Sequence, residues 1–182
     1  MDAKATIFSL DIRNFKKSGE KILDSAILLK DEDLYSYHIL VSVGFEILLK
    51  SIIAAKICLS SNRTNEDDIL NEIIKELKCF GHDLEKIFNE VFKYFPQLKT
   101  NLKISQIKKI ENEFLYEYRI ILKNNECVSI KDFEGVRYQS FANKKNVLLQ
   151  APQEHELYFI GKFKEELKKI YDNLYKKLPK PM

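Results

Sequence analysis

From Tyr35 to Leu59 apolar residues recur every three or four positions with almost no polar interruption. Leu34, Tyr37, Val41, Phe45, Leu48, Ile52, Ala55 and Leu59 form one stripe at helical spacing, and Ile39, Val43, Ile53 and Ile57 form a second beside it. A helix that is apolar around most of its circumference is buried on several sides, so the pattern predicts a central helix wrapped by its neighbours. Glu46 and Lys50 are set into the second row, one turn apart, with the acid N-terminal as the favourable orientation requires.

The flanking segments read as further helices. Residues 1–14 give no decisive pattern and are expected to form an extended or irregular lead-in. Asn14–Lys30 places Phe15, Ile22, Ala26 and Leu29 on one side and lysines and Glu20 mostly opposite, an amphipathic helix whose start Gly19 weakens. Asp31-Glu32-Asp33 supplies a turn and an acidic lead into the central helix. Thr64 or Asn65 caps a helix over Glu66–Cys79, with Ile69, Ile73, Leu77 and Phe80 inward and Gly81 as its stop. Asp83 caps the next, in which Leu84, Ile87, Phe88, Val91, Phe92 and Phe95 repeat as far as Pro96.

Ser105–Leu122 is read as a fifth helix, with Ile107, Ile110, Phe114, Tyr118 and Ile121 inward. Residues 123–153 have weak periodicity and form a long irregular excursion, with Val147-Leu148-Leu149 extended. A connection of that length in a compact domain is often functional. The last helix, 154–178, buries Leu157, Ile160, Phe163, Leu167, Ile170, Leu174 and Leu178. Its lysines alternate with Glu165, Glu166 and Asp172, the ordinary look of a solvated face. The expected fold is all-α: one domain over residues 1–182, an up-and-down bundle of about five to six helices with an irregular excursion before the last.

Composition agrees with long helices, since the 182 residues include only 5 Gly and 4 Pro. A net charge of +3 permits contact with nucleic acid without arguing for it. Arg13, Arg63, Arg119 and Arg137 are the four arginines among 30 basic residues, so each merits a separate question about bidentate anion recognition. Cys58, Cys79 and Cys127 are odd in number and widely spaced, which suits free thiols in a reducing compartment. The first residues have no apolar leader core, and Glu46 and Lys50 interrupt the one stretch resembling a membrane span. The chain is expected to be cytoplasmic, with no membrane contact.

Three stretches carry a family resemblance. The central helix reads Tyr-His-x6-Phe-Glu-x2-Leu-Lys (Tyr37, His38, Phe45, Glu46, Leu49, Lys50). Gly81-His82-Asp83-Leu84 opens a later helix, and Arg137-Tyr138 lies in the aromatic part of the excursion. In this order and rough spacing, over about residues 15–140, the chain resembles the HEPN family of small helical domains. The resemblance implies an all-α bundle, frequently a homodimer, and a place in toxin–antitoxin, abortive-infection or other antiviral defence systems. Many members are metal-independent ribonucleases that use an Arg-x4-6-His pair near the dimer interface. None of the four arginines here is followed by a histidine at that distance. The chain therefore resembles a degenerate member lacking the nuclease motif.

Each candidate residue has a plain reading and a functional one. Glu46 and Lys50 read first as a structural ion pair, because buried charges persist when paired; facing a cleft, Lys50 would instead hold a ligand. His82 reads first as part of a helix start, and second as an anion ligand or acid–base group. Arg137 and Tyr138 either clamp a helix carboxylate or bind phosphate and base. His38 reads as a satisfied core histidine. His155-Glu156 begins like a zinc-protease HExxH but meets Phe159, and no cluster has metal-ligand spacing, so neither metal nor cofactor is expected.

The leading expectation is a HEPN-like binding protein without the usual nuclease chemistry. It dimerises or docks on a partner protein through helical faces, and holds RNA or a nucleotide near Lys50, His82, Arg137 and Tyr138. The rival is a divergent metal-independent ribonuclease with His82 as general acid–base and Arg137 stabilising the charged transition state. A third reading is a purely structural subunit.

Overall fold

The computed structural model describes residues 2–111, 116–133, 136 and 149–178. Helices dominate: α1 (Ala3–Ile7), a π-helical turn (Phe8–Ile12), α2 (Arg13–Leu29), α3 (Leu34–Ser60), α4 (Glu66–Phe80), α5 (Leu84–Tyr94), α6 (Pro96–Asn101) and α7 (Glu154–Tyr175). Between α6 and α7 stand three strands, β1 (Ile104–Glu111), β2 (Tyr116–Leu122) and β3 (Cys127–Lys131), in an antiparallel meander of order β1-β2-β3. The fold is mostly helical but not purely so.

α3 is the axis of the molecule. Tyr37, Val41, Phe45, Leu48, Ile52 and Ala55 are all buried, and α2, α4, α5, α7 and β3 pack around them. At its centre the Phe45 ring lies 4.6 Å from Phe163, 6.0 Å from Phe88 and 6.2 Å from Phe159, so one aromatic cluster joins α3, α5 and α7. By length and composition α3 could cross a membrane, despite Glu46 and Lys50. However, 72% of its most apolar window is buried inside the molecule, as the core helix of a globular fold would be.

Two glycines set how closely α2 approaches α3. A Cβ on Gly19 would come within 2.9 Å of Leu48 Cγ, and one on Gly44 within 2.6 Å of Leu23 Cγ. Gly19 is therefore a contact point between helices, and its cost in helix propensity is offset by that approach.

Local caps account for most helix boundaries. Asp33 accepts from the Ser36 amide, Asn65 from Asp67 and Asp83 from Lys86, each satisfying an amide that the first turn leaves free. Gln153 and Glu156 form a reciprocal capping box at the start of α7.

Two expectations are corrected. The lead-in is helical: Asp2 caps α1 by accepting from the Lys4 and Ala5 amides, and Ile7, Phe8 and Ile12 are buried. Ile7, Phe8 and Ile12 follow no clean 3.6 period because the π turn inserts an extra residue into the helix.

The second correction concerns Ser105–Leu122, which forms β1 and β2, so the all-α description does not hold. The helical reading rests on Ile107, Ile110, Phe114, Tyr118 and Ile121, of which Ile107 and Ile110 lie on β1 and Tyr118 and Ile121 on β2; upstream, the register shifts between Ile104 and Gln106. That bulge lets residues three apart face the same way. The isoleucines and tyrosines of this stretch also favour a pleated, half-buried surface. β3 falls within the stretch expected to be irregular. It pairs with β2 through a tight turn in which Asn125 adopts φ 66° and its amide donates to the Leu122 carbonyl. Most of the remaining excursion, including Val147-Leu148, lies outside the described residues.

Polar groups tie β2 to β3 and fasten the sheet to α7. Glu117 is nearly inaccessible and accepts from Arg119 (2.5 Å), Lys131 (2.5 Å) and the Ser129 hydroxyl (2.9 Å). Burial raises its pKa, but those donors outweigh it and keep the carboxyl below its ordinary value. The Ser129 amide donates to Glu156 at the head of α7 (3.0 Å). His38, also buried, is 3.0 Å from the Gln150 carbonyl through Nε2. Burial holds its pKa below the usual imidazole value, and a neutral ring donates Nε2–H to that carbonyl.

Candidate functional site: the Glu46–Lys50–His82 clamp

Two features read separately in the sequence meet in space. Gly81, at φ 53° and ψ −132°, turns the chain sharply between α4 and α5 and thereby brings His82 against the middle of α3. Lys50 donates to Glu46 Oε1 at 2.7 Å and to the Gly81 carbonyl at 2.6 Å. The other carboxylate oxygen, Oε2, lies 2.9 Å from His82 Nδ1. One acid thus holds two basic groups, and the lysine also satisfies a carbonyl freed at the end of α4.

Exposure divides this cluster. The side chains of Glu46 and Lys50 keep only 12% and 13% of their accessible surface, whereas His82 keeps 53%. Ionised Glu46 only accepts, so His82 carries its proton on Nδ1. The ring's Nε2 has no hydrogen-bond partner among the described residues. A neutral ring presents Nε2 as an acceptor or proton base. A protonated one presents a cationic donor whose charge Glu46 supports from behind.

An aromatic and cationic surface adjoins the ring. Phe133 lies 6.1 Å from it, tilted by 44°, and the Tyr118 hydroxyl donates to the His82 carbonyl at 3.4 Å. Across the β1–β2 ladder Lys109 is paired with Tyr118. Its ammonium lies 5.3 Å from that ring, 4.9 Å from the half-exposed Tyr116 ring and 3.5 Å from Asp132. Burial disfavours the charge on Lys109, but Tyr118 and Asp132 together prevail and raise its pKa. Burial, reinforced by Asp132, raises the Tyr118 pKa as well. Both groups remain protonated donors at neutral pH.

Lys109 and Tyr116 carried no signal as site residues and Tyr118 read as core, because a helix over 105–122 scatters them around a cylinder, while Asp132 and Phe133 fall in the stretch expected to be irregular. The available signal was Tyr116 and Tyr118 two apart, in a stretch rich in isoleucine. Of the sequence-predicted site residues, Glu46, Lys50 and His82 are brought together. Arg137 and Tyr138 lie outside the described residues. Among the described residues no group of three or more His, Cys, Asp or Glu side chains is gathered as a metal site. His155 is occupied in tying α7 to β3, with Nε2 2.9 Å from the Cys127 carbonyl.

Comparison of the chain with protein-family models, with curated proteins and with solved structures finds no significant match in any of the three.

Proposed function

We propose that this chain is a HEPN-like helical binding protein of a prokaryotic defence or toxin–antitoxin type system. On this reading it holds single-stranded RNA or a nucleotide on its His82 face without the family's nuclease chemistry. The observation that carries the reading is the half-exposed His82 imidazole, held by a Glu46 that Lys50 also pairs, with Phe133 6.1 Å from the ring and Lys109 and Tyr116 beyond the Tyr118 that bonds the His82 carbonyl. Single strands are recognised by aromatic faces that stack on bases and by cations that meet phosphates, and this face offers both. The finer fold reading, a HEPN-type up-and-down bundle, rests on α2 to α5 and α7 wrapped around the Glu/Lys-bearing axis, with the three-stranded sheet as an addition. Pairing with a second copy, or docking on a partner protein through helical faces, belongs to the same proposal.

A second reading is favoured by the Glu46–His82 hydrogen bond, because an imidazole oriented by a carboxylate is the usual form of a general base. In that reading His82 moves the proton and Arg137 stabilises the charged phosphate. One experiment separates the two: end-labelled single-stranded RNA incubated with the protein in a chelator, followed by both binding and chain length. The binding reading expects intact RNA and at least tenfold weaker binding by His82→Ala. Cleavage that disappears in His82→Ala and Arg137→Ala would establish the ribonuclease instead. Absence of binding and cleavage alike would leave the partner-docking part, which solution mass and co-purification then address.

A further inference from the structure

At the end of α5 remote from His82 lie two adjoining depressions that share Lys177. One is a groove of about 540 Å³ between the C-terminal ends of α5 and α7, lined by Tyr94, Phe95, Gln97, Asn173, Lys176 and Lys177. The other is a cleft of about 600 Å³ between α1 and the loop after α3, where Lys4, Arg63 and Lys177 face Asp2 and the Ser61–Thr64 backbone. Both volumes fall in the range of small-molecule sites, about 300–1,000 Å³.

The two halves differ in chemistry. The groove offers an aromatic ring that is 40% exposed, Tyr94, with Phe95 against its edge at 6.4 Å and Lys56 5.8 Å from its centre. Gln97 and Asn173 add amides that both donate and accept. The cleft supplies charge. Across the two linings stand four cations, Lys4, Arg63, Lys176 and Lys177, and one carboxylate, Asp2, which is already capping α1. Arg63, Lys176 and Lys177 have no ion-pair partner among the described residues. The Lys4 ammonium is held by the Ser61 and Leu59 carbonyls, at 2.5 and 3.3 Å, which position its charge without neutralising it. Arg63 is one of the four arginines in the chain, and its amide bonds the Ser61 hydroxyl at 3.2 Å, which fixes the loop that carries it.

Carboxylates stand at the margin, Glu72 accepting from the Ser61 hydroxyl at 2.6 Å and Glu90 bonded to the Tyr94 hydroxyl, but cations outnumber them across the linings. A planar apolar platform beside such a cleft selects a ligand with a flat ring at one end and an anion at the other. We infer that this corner is a second binding site, separate from the His82 face, for a nucleotide. The base lies on Tyr94 with its edge toward Gln97 and Asn173, and the phosphate lies between Lys177, Lys4 and Arg63. The nucleotide is either free or the phosphorylated end of a strand, because the chemistry is the same for both.

Equilibrium binding of AMP to the full chain tests this, with adenosine, inorganic phosphate and a 5′-phosphorylated oligoadenylate as competitors. Tyr94→Ala is expected to weaken AMP binding about 5- to 150-fold, the range that removal of one base-stacking ring produces. Arg63→Glu is expected to weaken it at least tenfold, and His82→Ala to leave it unchanged. All three proteins should melt cooperatively and show native circular dichroism. Phosphate and adenosine should each compete at least tenfold more weakly than AMP. Displacement of AMP by the oligoadenylate assigns the site to strand ends, and failure to displace assigns it to free nucleotide. No AMP binding at millimolar concentration, binding indifferent to Tyr94→Ala and Arg63→Glu, or loss in His82→Ala would each overturn the inference.

Discussion

Replacing Glu46 by alanine removes the one carboxylate that holds both Lys50 and His82. Lys50 would keep only its 2.6 Å bond to the Gly81 carbonyl, with its side chain seven-eighths withdrawn from water. Breaking a fully buried ion pair by deleting one partner costs about 3–5 kcal/mol, whereas an exposed pair contributes about 0–1 kcal/mol. Lys50 lies near the first case and His82, half exposed, in the second. The surviving carbonyl bond lowers the sum, so Glu46→Ala should cost about 2–3 kcal/mol. For a chain of this length that corresponds to a fall in Tm of roughly 4–12 °C, measured by circular dichroism or calorimetry. The doubly apolar variant Glu46→Leu/Lys50→Met removes the stranded charge and should recover to within about 1 kcal/mol of the parent. A loss below about 0.5 kcal/mol in Glu46→Ala, or double-variant losses that simply add, would refute the view that these charges form one buried unit.

Two further perturbations probe the frame around the clamp. Gly44→Ala places a methyl 2.6 Å from Leu23, and overpacking of about 1–3 kcal/mol should outweigh the helix-propensity gain of about 1 kcal/mol. Gly161→Ala meets nothing within 4 Å and should stabilise by about 0.4–1 kcal/mol; urea denaturation that ranks the two the other way round would contradict the α2–α3 contact. His38 is held below its ordinary pKa of 6.5, so on acidification the unfolded chain takes up its proton first. Stability is then full above about pH 6.5 and falls as pH drops from there toward the folded value, by at most about 1.4 kcal/mol per unit. His38→Gln should flatten the stability profile between pH 7 and pH 5, and an unchanged slope would show that the buried ring titrates freely.

The long helices were legible because caps and periodicity agree. Asp33, Asn65 and Asp83 mark starts, Gly81 marks a stop, and the α3 stripe is buried from Tyr37 to Ala55, with Leu34 and Leu59 half-buried at its ends. The strands were not legible, because Ile107, Ile110, Phe114, Tyr118 and Ile121 recur every three or four positions by coincidence, although Ile107 and Ile110 lie on one extended strand and Tyr118 and Ile121 on the next. The π turn hid the opening helix for a different reason: an inserted residue breaks the period being sought. The site was legible in parts only. Spacing flagged Glu46 with Lys50, and the turn motif flagged His82, but nothing local links positions 36 residues apart. That junction depends on Gly81 redirecting the chain, and the aromatic border depends on strands the pattern concealed.

The most direct measurement is nuclear magnetic resonance of protein carrying labelled histidine, titrated with single-stranded RNA. The chain has three histidines: His38 is bonded to the Gln150 carbonyl, His155 to the Cys127 carbonyl, and His82 to Glu46 with its Nε2 toward solvent. A binding face centred on the clamp expects the His82 ring signals to move and saturate with RNA while those of His38 stay still, and the RNA to be recovered whole. His82 signals that never move at saturating RNA, or RNA recovered in pieces, would contradict it.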